Sequence, residues 1–139
     1  MENDAAAILA LNERFYVAFR ELDFEAIAAC WAQTEADFCV HPGWEMLRGW
    51  EEVRESWRAI VAGAAYMRIH PSEEVVVVHG DMGHVTCVEE IYTIAGGVTT
   101  HARVASTTLF IRTPLGWRIE GHHGSPIAAA LSVNDEVEN

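Results

Sequence analysis

The hydrophobic period of this chain changes from about 3.6 residues to about 2 near Tyr66, and that change constrains the fold more than anything else in the sequence. Ahead of it the apolar residues keep helix spacing. Ile8, Leu11, Phe15 and Phe19 form one stripe, with Glu13, Arg14, Arg20 and Glu21 on the opposite side. Asp23 reads as the N-cap of a second, short helix running on to Trp31, with Leu22 and Ile27 placed as a hydrophobic staple. Phe38-Cys39-Val40-His41 is a short extended run stopped by Pro42-Gly43, and the proline biases His41 away from helix. Gly49 precedes a third helix. Its stripe is Trp50, Val53, Trp57 and Ile60, while Glu51, Glu52, Arg54, Glu55 and Arg58 face water.

Beyond Tyr66 the segments alternate. Glu74 to His79 is a β-branched run ended by Gly80-Asp81-Met82-Gly83; His84 to Ile94 ends at Gly96-Gly97. Val98 to Arg112 ends at Thr113-Pro114-Leu115-Gly116, and a last strand runs from Trp117 to about His123. Short breaks rich in turn residues predict an antiparallel meander of hairpins. Helices followed by a sheet predict a single α+β domain over 1–139, with a core of about 5–127 and an acidic tail, 128–139, that frays.

Charge narrows the function classes. Nine basic residues against 21 acidic ones leave a formal charge of −12, which a nucleic-acid backbone or an anionic membrane would repel. All nine are arginine, so there is no lysine for a Schiff base, for anchoring pyridoxal phosphate or for a phosphate loop. Cys30, Cys39 and Cys87 are odd in number and form no C-x-x-C pair, which argues for reduced thiols in a cytoplasm. The acidic N-terminus is unlike a signal peptide, and no apolar run approaches the roughly 18 residues of a membrane span.

Three local strings carry a resemblance. Leu22-Asp23-Phe24-Glu25-Ala26-Ile27, Gly49-Trp50-Glu51-Glu52-Val53 and Gly116-Trp117-Arg118-Ile119-Glu120-Gly121-His122-His123-Gly124-Ser125-Pro126 are similar to the second helix, third helix and final strand of the nuclear transport factor 2-like superfamily. The last string resembles its SnoaL-like branch and the association domain of calcium/calmodulin-dependent kinase II. The resemblance implies a cone-shaped α+β barrel, three N-terminal helices packed on a strongly curved, mainly antiparallel sheet. It also implies an apolar pocket at the cone's mouth and a homodimer through the outer sheet face. One fold serves many chemistries there, so function has to be argued from the site.

His41 stands where the resembling isomerases place an aspartate base; it is either an acid/base group or a half-buried histidine bonded to the Pro42-Gly43 turn. Phe15 falls about where that family has a tyrosine, and Thr107 or Thr108 about where it has a protonated acid, which argues against steroid isomerisation. By strand alternation His101 and Arg103 share a face with Glu90 on the neighbouring strand. They form either a charged set against a ligand or an exposed cross-strand ion pair. His122 and His123 point to opposite faces, so they cannot hold one metal together. His123 shares parity with Trp117 and Ile119, which places it toward the interior as a second acid/base candidate or as a structural cap. His122 then faces outward. His70, His79 and His84 have no metal-ligand spacing, and neither a metal nor a cofactor is expected.

Trp50 and Trp57 are most simply core, with Trp57 also counted among the ligand-contacting residues. Trp44, in the loop after His41, reads as a wall or lid, and Tyr16 flanks the first stripe with its hydroxyl directed to the cone. Cys39 and Cys87 read as small core residues. The expected function is binding of a small apolar or cyclic molecule, with cofactor-free lyase or isomerase chemistry at His41. The alternative is a non-catalytic oligomerisation module resembling the kinase association domain; a transport-type peptide binder ranks behind both.

Overall fold

The computed structural model of the chain describes residues 3–64 and 66–128, so the expected tail falls, from residue 129 on, outside the described residues. Helix α1 spans Asp4–Arg20 and is capped by the Asn3 side chain, which accepts from the Ala6 amide at 3.1 Å. Its stripe is buried as the pattern requires, and Asn12 and Tyr16 are buried beside it. Helix α2, Phe24–Ala29, starts at the Asp23 cap, whose carboxylate accepts from the Ala26 amide at 3.1 Å. It stops two residues short of Trp31 because β6 (Gly116–Pro126) offers a better partner. The Ala32 amide donates to the Ile119 carbonyl and the Ile119 amide to the Cys30 carbonyl, both at 2.8 Å. The helix end therefore exchanges further helical bonds for ladder bonds on a strand.

The remaining elements are β1 (Phe38–Val40), β2 (Leu47–Arg48), α3 (Trp50–Gly63), β3 (Tyr66–His79), β4 (Met82–Ala95) and β5 (Val98–Thr113). The sheet order is β2-β1-β6-β5-β4-β3. Strands β3 to β6 form the expected antiparallel meander, while β1 joins β6 in parallel and β2 pairs β1 antiparallel. The sheet is open, with β2 and β3 as its edges. Helix α1 packs on β3, β4 and β6, and α3 on β1 and β2, so helices rather than strand pairing complete the barrel-like shape. Phe15 centres the core, its ring 5.0 Å from Tyr16, 5.9 Å from Phe19 and 5.5 Å from Trp57. Each such fully buried side chain contributes roughly 1.5–3 kcal/mol.

Two strands depart from simple alternation. Strand β3 begins at Tyr66 rather than Glu74, and it accommodates Pro71 because it is an edge, where a missing N–H costs no ladder bond. It shifts register between Ser72 and Val75, with Glu73 at φ 57°. In β6, Leu109 of β5 faces Gly121 but Phe110 faces Ile119, so Glu120 is an extra residue. This bulge inverts the inward face of the strand. Trp117 and Ile119 point inward before it; His122 and Gly124 do so after it. Among the described residues no helix is long and apolar enough to cross a membrane.

Candidate acid–base site

His41 lies just beyond β1 and is 4% exposed. The Ser56 hydroxyl donates its one proton to the Val53 carbonyl at 2.6 Å. His41 Nε2, 2.8 Å from Ser56 Oγ, must then be the donor of that contact, which assigns the tautomer and leaves the lone pair on Nδ1. The Trp57 ring stands edge-on to the imidazole at 4.7 Å, and the Trp44 ring also at 4.7 Å. Burial, reinforced by the nearby His122, lowers the His41 pKa to about 3, so the ring is neutral at pH 7.

A second polar group is buried on the inner sheet face. Tyr16 donates its hydroxyl to Glu89 Oε2 at 2.5 Å and lies 3.5 Å from Cys87 Sγ. His122 Nδ1 is 2.8 Å from Thr108 Oγ1, and its Nε2 is 3.6 Å from Glu89 Oε2. Glu89 is 2% exposed and His122 3%. Burial raises the Glu89 pKa against the opposing pull of the Tyr16 hydrogen bond, and raises that of Tyr16 as well, with the Glu89 charge adding to it. Burial, then the charge of His123, lowers the His122 pKa to about 4. The two groups meet at Trp57, whose ring is 6.3 Å from that of His122. One turn ahead of Tyr16, Asn12 donates Nδ2 to Glu74 Oε2 at 2.8 Å, while its Oδ1 has no hydrogen-bond partner among the described residues.

Of the residues expected at a site, His41 and Trp57 come together, Trp44 covers His41 while remaining 45% exposed, and Tyr16 belongs to the neighbouring cluster through Glu89. His123 does not join them. It is exposed, and the interior position belongs to His122, because the Glu120 bulge reverses the parity counted from Trp117. Glu90, His101 and Arg103 lie on the outer face of the sheet, where Glu90 accepts from His101 Nε2 at 2.9 Å and from Arg103 Nε at 2.8 Å. They are far too exposed to be interior ligand contacts, with side-chain exposures of 24%, 47% and 42%. The expected tyrosine position is held by Phe15 in the core, but the adjacent Tyr16 brings a phenol inward one residue later.

Glu89, His122 and Ser56 were not singled out by the sequence reading. Glu89 had a usable signal, since it shares parity with Val85 and Cys87, both buried. Among the described residues no group of three or more His, Cys, Asp or Glu is placed to hold a metal ion. Clefts of 360 to 610 Å³ lined by described residues open elsewhere, and none of them includes His41, Tyr16, Glu89 or His122. These clefts therefore lie apart from the buried polar cluster around His41 and His122.

Comparison with known proteins follows the same lines. A protein of the nuclear transport factor 2-like family from Streptomyces avermitilis, named as a candidate dehydratase, is 33% identical, with 91% of this chain and 97% of that one covered at a TM-score of 0.85. A candidate calcium/calmodulin-dependent protein kinase type II association domain from Thiobacillus denitrificans is 27% identical over 86% of this chain and 94% of that one, with a TM-score of 0.72. A ketosteroid isomerase-like protein from Erwinia carotovora shares the fold at 23% identity, covering 92% and 99% of the two chains with a TM-score of 0.75. No curated protein matches the chain. The SnoaL-like domain matches residues 8–130, nearly the full length of the helices and sheet described above, and the chain belongs to that family.

Proposed function

We propose that this protein is a cofactor-free lyase or isomerase acting on a small apolar or cyclic molecule, with His41 Nδ1 as the proton acceptor. The observation that carries the reading is the state of His41: buried, neutral, oriented by Ser56, and with its basic nitrogen Nδ1 met, among the described residues, by the weak Cys39 thiol contact at 3.8 Å. Perturbed titratable groups gathered in one place are a signature of acid–base sites. The proton taken by Nδ1 leaves an imidazolium still bonded to Ser56, which then returns it to a leaving oxygen or to another carbon. Tyr16, Glu89 and His122 form the polar wall beside it, with His122 in the place first assigned to His123; the Tyr16 proton is held by Glu89, so the His122 imidazole N–H is the donor that meets negative charge developing on a substrate oxygen. Since His41 is 4% exposed and Trp44 45%, entry requires the indole of Trp44 to move aside. The 33% identical relative named as a candidate dehydratase is consistent with this chemistry. Three buried free thiols fit a cytoplasmic location.

The test is a panel of cyclic hydroxy-ketones assayed for dehydration or double-bond shift. His41→Ala is expected to lower turnover roughly 10²- to 10⁴-fold with an unchanged circular dichroism spectrum, whereas His123→Ala leaves it intact. Full activity in His41→Ala would refute the assignment. A second reading, assembly, is favoured by one observation: Tyr66, Tyr92, Ile94 and Val98 are exposed near one end of β3, β4 and β5. A homodimer through the sheet is compatible with both readings, and a monomer by sedimentation at micromolar concentration would remove the second.

A further inference from the structure

We propose a second ligand site, for a small organic carboxylate with an apolar body, in the 610 Å³ cleft between the end of α2 and the β5–β6 turn. The argument begins with charge. The chain carries 21 acidic residues, yet among the described residues no Asp or Glu lines this cleft, and the charged ones that do are Arg112 and Arg118. The other clefts lined by described residues each include carboxylates: Glu13 and Glu21 between α1 and α2, Glu35 with Glu51 and Glu52 at the start of α3, and Glu35 with Asp37 beside β1. Asp4 and Asp81 offset the charge of Arg112, so the positive charge this cleft offers a ligand is that of Arg118, and a carboxylate is the group that pairs with it.

The two arginines are not equivalent. Arg112 is committed: it donates to Asp4 at 2.8 Å and to Asp81 at 3.0 Å, and its guanidinium covers the Trp117 ring at 4.6 Å. Arg118 donates only to the Trp117 carbonyl, at 2.8 Å, and has no carboxylate partner among the described residues. A guanidinium has five N–H donors in a fork that fits a carboxylate edge-on, so most of its capacity is open. Gln33, Thr34 and Thr113 add neutral polar groups to the cleft, while Ala29, Ala32, Pro114 and Leu115, the last 81% exposed, give it an apolar wall. That wall suits a ring or short hydrocarbon, and a ligand there would cover a side chain that is otherwise left in water. Arg118 and His122 face Ile111 and Thr108 on β5, three ladder steps or about 10 Å apart along the strand, so this site is separate from the acid–base cluster.

The test uses benzoate and its neutral counterpart benzyl alcohol, titrated calorimetrically into the full chain at constant ionic strength. Benzoate is expected to bind saturably at one site and benzyl alcohol at least about tenfold more weakly. Arg118→Gln is expected to weaken benzoate roughly 10- to 100-fold, as loss of a charge-assisted pair requires. Arg118→Lys, which keeps the charge without the fork, falls between them, and a far-ultraviolet spectrum confirms that both variants fold. His41→Ala leaves benzoate binding unchanged, which separates this site from the interior. Equal affinity for the alcohol, undiminished binding in Arg118→Gln, loss of binding in His41→Ala, or no saturable binding of benzoate would each overturn the proposal.

Discussion

Acidification should destabilise this protein through His41 and His122, in a window set by their burial. An imidazole in an unfolded chain titrates near 6.5, whereas here the two are held at about 3 and about 4. A depressed pKa means that the unfolded state takes up the proton first. Stability is then full above about pH 6.5, falls as pH drops below that, and stops falling only near the folded values. Between pH 7 and pH 5 each histidine costs about 2 kcal/mol, so the pair costs about 4 kcal/mol, a large share of the ~5–15 kcal/mol of an ordinary domain. Glu89 works in the opposite sense, because a carboxyl raised by burial favours the folded state as pH falls. The clean quantity is therefore the difference between the wild type and His41→Asn/His122→Asn, which removes both imidazoles and leaves Glu89. Urea unfolding followed by tryptophan fluorescence at pH 7, 6 and 5 should show the wild type losing about 4 kcal/mol more than the double variant. If the two lose equal stability over that range, the histidines are not kept neutral in the folded state and the reasoning fails.

Other perturbations have defined outcomes. Tyr16→Phe removes the hydrogen bond that holds the Glu89 carboxyl down, so Glu89 should titrate still higher by carbon-13 NMR and stability should fall by roughly 1–3 kcal/mol. Phe15→Ala empties the centre of a five-ring cluster that includes His122, and should cost about 3–5 kcal/mol in chemical denaturation. Gly121→Ala would drive a Cβ into the Phe38 ring on the neighbouring strand, with an expected loss of about 1–3 kcal/mol. Glu90→Gln breaks two exposed ion pairs on the outer face and should leave the urea midpoint unmoved; a clear shift would mean that this face is covered in solution.

The helices were readable because the first and third keep an apolar stripe and the second opens on the Asp23 cap; the Asn3 cap of the first helix carried no such signal. The hairpins were readable because turn residues punctuate β-branched runs. The first half of β3 was not, since Pro71 normally argues against a strand and only its edge position makes it harmless. In the candidate site, His41 was singled out through the family resemblance, which puts a base just before the proline, and Tyr16 through its position beside the stripe. Glu90 drew attention because it has cross-strand partners, yet Glu89 is the member of the pair that shares the buried face with Cys87. Ser56 is a polar residue on a helix, and nothing in the linear chain says that it meets His41 from another element. His122 could not have been found by alternation, because alternation fails at Glu120.

That extra residue has a consequence for how a histidine is transferred from one member of this family to another. Two imidazoles adjoin in the chain, and which of them enters the protein depends on where the strand carries its bulge. Aligning letters therefore does not align chemistry: a relative of the same strand length whose bulge lies beyond the pair would present the other histidine from the same column. Excising Glu120 straightens the ladder while keeping His122 inward, whereas moving the bulge beyond His123 would hand the interior to that neighbour. The position of that bulge is thus a switch between two side chains, one that substitution at either histidine cannot imitate.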